Sequence, residues 1–321
     1  MLRAHRGGIL MTLGSSETSA SVYSGTHQPP KVSAAVANAT AQSQGGRLTS
    51  LISVVEKPQS ASNGCVWHLG TAIGLGPTQR AALAWIIAQA VMERRCGAST
   101  ALSIWRSAAL SGNKLAGTDR AVVAAFVVGV FGLPEKPSSE DHLVGHVAEW
   151  LWYLNALETV SATRAIELLE PPKFNVTEPG ADGFVVFSDI TTGETSYRLW
   201  EIKKHTGTSH VSGTVATAYA QLSTNAMRYL AQQVSVHSER PGPVGDLCKQ
   251  LVDLWVECSD KAGAGVGVAS GSTPPPTACF TTMGNHFPGF TKAGQLEGLL
   301  LVIEDFEELA REVRSYLWTV L

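Results

Sequence analysis

The chain has 321 residues, enough for one large domain or two smaller ones with a substantial core. Hydrophobic residues make up 44% of it, which fits a globular protein, and charged residues 16%, which is on the low side. The net charge is -3, so no overall basic field indicates a nucleic-acid partner. The longest apolar run, residues 121–133, is too short to span a bilayer, and we expect no membrane association.

The cysteines are scattered, odd in number, and form no Cys-x-x-Cys pair. They are Cys65, Cys96, Cys248, Cys258 and Cys279. This spacing argues against a disulfide framework or a zinc ribbon. It favours reduced thiols and a cytoplasmic location.

Residues 1–50 are rich in Ser, Ala, Thr and Gln, and Glu17 is their only acidic residue. This composition predicts a disordered or poorly ordered tail, with a transit peptide as the alternative interpretation. The remainder divides into an N-terminal helical region at 51–136 and a larger domain at 137–321.

Hydrophobic periodicity and breaker residues predict the elements in chain order. Short strands are expected at 51–55 and 65–69, followed by helices at 78–95, 99–110, 118–131 and 141–159. After Pro171 and Pro172, strands are expected at 174–177, 184–187 and 197–204. Helices at 210–234 and 244–258, strands at 265–269 and 298–303, and a final helix ending at Trp318 complete the chain. This order predicts an α/β (α+β) fold, a mixed sheet flanked by helices.

Charge is distributed unevenly along the chain. Residues 78–120 contain six Lys or Arg and two acidic residues, whereas residues from Gln295 onward contain six acidic residues and two arginines. We therefore expect a positive surface on the first segment and an acidic C-terminal helix away from it. Arg94 and Arg95 are candidates for binding a nucleic-acid backbone. A partner-protein surface or simple solvation of these helices is the alternative.

The segment from Gly180 to His205 carries residues suited to metal chemistry. Side chains alternate along a strand, so Glu201 and Lys203 share a face while Ile202 packs on the other. If the strands at 184–187 and 197–204 form a hairpin, Asp182 comes to lie beside Glu201. Two carboxylates near one ammonium suit Mg²⁺, which binds through one or two carboxylates and retains several waters. Glu149, on the preceding helix, is a third candidate acid.

These motifs resemble the PD-(D/E)XK nuclease superfamily: a helix acid, then Gly-Ala-Asp-Gly, then an apolar strand ending in Trp-Glu-Ile-Lys before a helix. The resemblance covers about residues 143–234 and implies a restriction-endonuclease-like core. It implies that Asp182, Glu201 and the carbonyl of Ile202 bind Mg²⁺ or Mn²⁺, with Glu149 as the auxiliary metal-site acid. Lys203 would position the attacking water.

The same resemblance suggests residues around this core. Gln221 on the following helix is the candidate polar contributor, with Asn225 and Arg228 on the same side. Lys204 and His205, at the strand end, are candidate nucleic-acid contacts. For His205 a solvated loop is the alternative. One departure is Ala181, which stands where the family motif has proline.

The wider pattern is most similar to nuclease subunits of bacterial anti-phage defence systems. It implies a DNA substrate, with RNA as the alternative, and an endonuclease that acts in the cytoplasm. The sequence contains no helicase or ATPase motif, so target choice is expected to come from a partner protein such as a helicase or ATPase, from an N-terminal contact or from the structure of the DNA. An oligomer is compatible with the sequence.

Two other interpretations stay open at this stage. The hairpin can be an ion-paired structural element of an ordinary α+β domain, or the chain can be a catalytically silent subunit that binds nucleic acid or a partner. We favour the nuclease because Trp200 and Ile202 indicate a central strand, where charges at 201 and 203 are costly unless they have a use.

Overall fold

The computed structural model describes residues 28–57, 65–175, 180–207, 209–271 and 274–321. The helices are α1 (Ala34–Ser43), α2 (Pro77–Cys96), α3 (Ala101–Ser111), α4 (Gly117–Phe131), α5 (Glu140–Glu158), α6 (Val211–His237), α7 (Pro243–Cys248), α8 (Leu251–Val256), α9 (Met283–His286) and α10 (Phe306–Trp318). The strands are β1 (Ser53–Lys57), β2 (Val66–Ala72), β3 (Gly132–Leu133), β4 (Lys136–Pro137), β5 (Arg164–Leu169), β6 (Gly183–Asp189), β7 (Thr195–His205), β8 (Ala264–Ser270) and β9 (Leu296–Ile303).

The described residues form a seven-stranded mixed sheet in the order β1-β2-β9-β8-β7-β6-β5, and β3 pairs separately with β4. Strands β2, β9, β8 and β7 run parallel to one another. Strands β5, β6 and β7 form an antiparallel meander, and β1 is antiparallel to β2 at the other edge. Helices cover both faces, so the expected mixed sheet flanked by helices is confirmed.

The two faces of the sheet bury separate apolar cores. One core holds residues of α1 to α5 and α10, and the other holds residues of α6 to α9. In β7, Trp200 and Ile202 join the first core, whereas Tyr197 and Leu199 join the second. Because side chains alternate, Glu201 and Lys203 lie on the same side of the strand as Leu199.

Two tryptophans fix the packing of α5 on the centre of the sheet. Trp152 on α5 and Trp200 on β7 have ring centroids 5.5 Å apart. A Cβ at Gly183 would lie 2.3 Å from the Trp152 ring, and one at Gly265 would lie 2.2 Å from the Trp200 ring. Only glycine therefore fits at these two strand positions, and the close approach brings α5 against the start of β6.

The expected N-terminal tail and domain division require correction. Helix α1, inside the segment predicted to be disordered, buries Ala34, Ala37 and Ala41 in the first core, where it packs on α2. Residues 1–27 lie outside the described residues. Strand β2 pairs with β9 along its whole length, so 51–136 is not a separate helical region. Distant pairing of this kind has no local sequence signal.

Two predicted elements also differ. The first strand of the meander is β5, at Arg164–Leu169, and Phe174 lies in a bend. Residues 176 and 177 of the expected strand lie outside the described residues. Edge strand β5 is only half-buried, which gave it a weak apolar pattern. The helix expected at 244–258 is two short helices, α7 and α8.

The basic and acidic segments are not kept apart. Helix α10 packs on α2, where Arg80 Nε lies 3.3 Å from Glu312 Oε2. Arg80 also donates to the carbonyls of Glu304 and Asp305, at 2.6 and 2.7 Å. The expected separation of the positive surface from the acidic C-terminal helix is therefore wrong, because the C-terminal segment neutralises part of the basic charge of α2. None of the described helices has the length and apolar character needed to cross a bilayer.

Candidate functional site

The site forms where β7 extends beyond its neighbour β6. Pairing with β6 ends at Gly183 and Trp200, whereas pairing with β8 continues to His205. On the β6 side, the backbone amide of Ile202 donates instead to Asp182 Oδ2, at 2.9 Å. The carboxylate thus substitutes for a strand partner, which fixes Asp182 beside the exposed edge of β7.

Asp182, Glu201 and Lys203 form a compact group, which we name the site cluster. Lys203 Nζ lies 2.5 Å from Glu201 Oε1 and 3.8 Å from Asp182 Oδ2. The Glu201 side chain is 1% exposed, whereas those of Asp182 and Lys203 are 24% and 27% exposed. The sequence-predicted trio is therefore brought together, with Glu201 at the bottom of a cleft that the other two open to solvent.

Burial sets the electrostatics of the site cluster. It raises the pKa of Asp182, and the neighbouring charge of Glu149 raises it further. Burial and the charge of Asp182 likewise raise the pKa of Glu201. Burial lowers the pKa of Lys203, but the two carboxylates outweigh this effect and the net pKa is raised. Facing carboxylates of this kind require a shared proton or a cation.

Glu149 on α5 borders the site cluster and is held by a histidine. Burial raises the pKa of Glu149 to about 8, and the charge of Glu201 adds to this while Lys203 opposes it. His146 Nε2 accepts hydrogen bonds from Trp150 Nε1 at 2.9 Å and from Arg95 Nη2 at 3.3 Å. The proton of the neutral ring is therefore on Nδ1, which donates to Glu149 Oε2 at 3.1 Å.

His146 stays neutral in this network. Burial, together with the nearby charge of Arg95, lowers the pKa of His146 well below its ordinary value. A neutral ring that accepts at one nitrogen and donates at the other fixes the direction of the Glu149 carboxylate. The sequence showed only the spacing of His146 and Glu149, not this hydrogen bond.

The donor set fits a hard cation. Glu201 Oε2 is buried and receives no hydrogen bond from the described residues. With Asp182 and the Ile202 carbonyl, it supplies the oxygen chemistry that Mg²⁺ prefers. Among the described residues, no group of three or more His, Cys, Asp or Glu side chains is arranged to hold a metal. Glu149 is close enough for its charge to raise the pKa of Asp182, but it does not belong to a ligand group of this kind.

Helix α6 follows β7, and a contribution of the Gln221 side chain to the site cluster stays a prediction. The Gln221 carbonyl accepts a hydrogen bond from Asn225, and Asn225 accepts one from Arg228. Tyr229 is close enough to Lys203 to be one of the groups that raise its pKa. Gln232 Oε1 lies 3.4 Å from the position of a Cβ on Gly180, beside Asp182. The turn carrying these two residues therefore lies near the site cluster, which the helical period alone did not reveal.

Arg94 and Arg95 have different surroundings although they are adjacent. Arg95 Nη1 donates to the carbonyl of Phe126 and Nη2 to that of Phe174, both at 3.0 Å. Its guanidinium also lies 4.7 Å from the centroid of the Phe174 ring. Arg94 is exposed and lies over the Tyr153 ring, 5.4 Å from its centroid. Arg95 therefore joins α2 to α4 and the 171–174 loop, while Arg94 faces solvent.

The two predicted contacts at the end of β7 are also held internally. Lys204 Nζ donates to the carbonyl of Asp141 at 2.6 Å and pairs with its carboxylate. His205 is buried, with Nε2 donating to the Ser209 carbonyl at 3.0 Å and Nδ1 bonded to Thr214 Oγ1 at 2.7 Å. These bonds fix the start of α5 and the β7–α6 connection.

Sequence reasoning missed a cation at the cleft, Lys173. Its Nζ lies 3.5 Å from the position of a Cβ on Gly180, and its charge lowers the pKa of Glu149. It also lies 3.8 Å from Glu170 Oε2. The Pro171-Pro172 pair before it was interpreted only as a breaker, yet it orients this loop toward the site.

No protein-family model matches the chain, and no curated protein matches it.

Proposed function

We propose that this protein is a metal-dependent nuclease that hydrolyses phosphodiester bonds, with DNA as the substrate. The observation that carries the proposal is the site cluster itself, in which Lys203 Nζ lies within 3.8 Å of both Asp182 and Glu201 at the open edge of β7. A structural ion pair needs one carboxylate per ammonium. A second buried carboxylate is costly unless a cation or substrate compensates it.

The order of elements around the cluster supports the proposal. Helix α5, the β5–β6–β7 meander, α6 and the parallel strand β8 follow one another, and the cluster lies where β6 and β7 diverge. This is the arrangement implied by the resemblance to PD-(D/E)XK nucleases. The same proposal includes a role in anti-phage defence and dependence on a helicase or ATPase partner. Both rest on the resemblance alone.

Asp182, Glu201 and the Ile202 carbonyl are the groups that would hold Mg²⁺. Bound there, the ion would polarise a phosphate oxygen and lower the pKa of a coordinated water. The ammonium of Lys203 orients a water by hydrogen bonding and offsets negative charge as the phosphate is attacked. Glu149, with a pKa of about 8, is suited to exchange a proton near neutral pH.

A cleavage assay tests the proposal. The purified full-length protein is incubated with supercoiled plasmid, linear DNA and RNA in Mg²⁺, in Mn²⁺ and in EDTA. We expect cleavage of DNA that requires the metal and is lost in Lys203→Ala. A folded protein that binds DNA but cuts none of these substrates would contradict the nuclease and support the silent binding subunit.

A further inference from the structure

Next to the site cluster lies a separate cleft of about 300 Å³, which we name the proline-lined pocket. Its walls come from Arg94 and Arg95 on α2, from Trp150 on α5 and from the segment Glu170–Phe174. Lys173 connects the pocket to the site, since its ammonium lies beside Gly180 and its charge acts on Glu149. A ligand in the pocket therefore adjoins the carboxylates.

The walls of the pocket combine an exposed aromatic ring with three cations and one carboxylate. The carboxylate, Glu170, is hydrogen-bonded to Gln233 and His237. Phe174 is 38% exposed although it is a large apolar residue. The Arg95 guanidinium stacks on this ring at 4.7 Å and donates to the Phe174 carbonyl, so the ring is held in place. Arg94 and the ammonium of Lys173, which is 34% exposed, supply positive charge at the rim.

These features match one unpaired nucleotide better than a duplex. Bases stack on exposed aromatic rings, and cations beside the ring bind the backbone phosphate. A volume of about 300 Å³ is at the small end of ligand pockets, which suits one base and its sugar. In a duplex the bases are stacked on each other, so none could reach Phe174 without leaving the helix.

We propose that the proline-lined pocket binds the unpaired nucleotide next to the cleaved phosphate, with its base on Phe174 and its phosphate at Lys173 and Arg94. The inference rests on the proposed nuclease function and gives it a substrate class, single-stranded or locally unpaired DNA. Pocket binding does not need the metal, so it can be measured apart from cleavage.

The test is equilibrium binding of the full-length protein in EDTA. The probes are a fluorescein-labelled single-stranded DNA and its duplex. A second single strand carries 2-aminopurine, whose fluorescence falls when the base stacks. The variants are Phe174→Leu, which keeps an apolar contact for Arg95, and Phe174→Tyr, which keeps a stacking ring. Lys173→Ala is compared with Lys249→Ala, because both lysines form an ion pair with an acid three residues earlier.

We expect Phe174→Leu to weaken single-strand binding on the order of tenfold and duplex binding less than twofold. It should also abolish the quenching of 2-aminopurine. Phe174→Tyr should keep the single-strand affinity and the quenching of the parent. Lys173→Ala should weaken single-strand binding severalfold, whereas Lys249→Ala should not. Equal losses on both probes, or quenching that survives in Phe174→Leu, would overturn the inference. Normal pocket binding without any metal-dependent cleavage would instead contradict only the proposed function.

Discussion

The backbone amide of Ile202 donates to the carboxylate of Asp182 at 2.9 Å, at the point where β7 has lost its partner on the β6 side. This bond couples the register of the sheet to the position of a candidate ligand. Because the register of β6 and β7 is fixed by side chains buried on both faces, Asp182 cannot slide relative to Glu201 without exposing the core.

Removing either end of the site cluster should abolish cleavage for different reasons. Asp182→Asn keeps an acceptor for the Ile202 amide but loses the charge that would hold Mg²⁺, whereas Lys203→Ala leaves both carboxylates. We expect each to lower the cleavage rate on the order of a hundredfold or more. Calorimetric titration should show weakened Mg²⁺ binding only in Asp182→Asn. Lys203→Ala protein that is folded and cuts at the parental rate would place the chemistry elsewhere.

The three raised carboxyl pKa values of the site should lower the stability of the metal-free protein as pH rises from about 4 to about 8. Buried His146 acts in the opposite direction, because its lowered pKa favours folding as pH rises toward about 6.5. The carboxyl pKa values of Glu149, Asp182 and Glu201 are raised in the folded state, so folding retains protons that the unfolded chain releases near pH 4. Below about pH 4 these carboxyls are protonated in both the folded and the unfolded state, so they do not affect stability. Above their folded-state pKa values, the destabilising effect of their buried charges is complete. Thermal unfolding in EDTA across this range measures it.

Two further measurements separate this effect from other titrations. Mg²⁺ should raise the unfolding temperature more at pH 8 than at pH 5.5, because its ligands must be deprotonated. Glu149→Gln should stabilise the metal-free protein at pH 8 and not at pH 4. A difference in stability between Glu149→Gln and the parent that is the same at pH 4 and at pH 8 in EDTA would contradict the burial of this charge.

Adjacent arginines on α2 should behave differently. Arg95→Ala removes hydrogen bonds to the carbonyls of Phe126 and Phe174, so unfolding in urea should show a loss of about 1–3 kcal/mol. Arg94→Ala should leave stability within about 0.5 kcal/mol. If Arg94 contacts phosphate, its loss lowers DNA affinity. It also reduces the slope of log affinity against log salt concentration by about one. The same salt slope in Arg94→Ala and the parent would exclude such a contact.

The packing of tryptophan on glycine should control the position of β7. In Gly265→Ala, the new Cβ would lie 2.2 Å from the Trp200 ring, so the ring or the strand must shift. We expect destabilisation of about 1–3 kcal/mol and reduced cleavage, since Glu201 follows Trp200 directly. Gly145→Ala on α5 is the control. It meets no atom within 4 Å and should stabilise the helix by up to about 1 kcal/mol. Chemical denaturation compares the two, and equal stabilities would refute the steric argument.

Much of the site could be predicted from short stretches of sequence. Alternation in β7 put Glu201 and Lys203 on one face, and the expected hairpin of β6 and β7 put Asp182 beside them. Both inferences depend on residues that are close together in the sequence. Helices α2 to α6 were predicted within a few residues of their bounds for the same reason, since the apolar period of a helix is local.

Other features were decided by contacts between distant residues. The pairing of β2 with β9 placed the N-terminal segment in the main sheet, and α1 is ordered because α2 covers its alanines. Arg95 looked like a surface cation, but α4 and the 171–174 loop enclose it. The sequence by itself determined which residues can do the chemistry. Only the tertiary structure decided which charges face solvent, because burial and hydrogen bonding depend on what packs against each side chain.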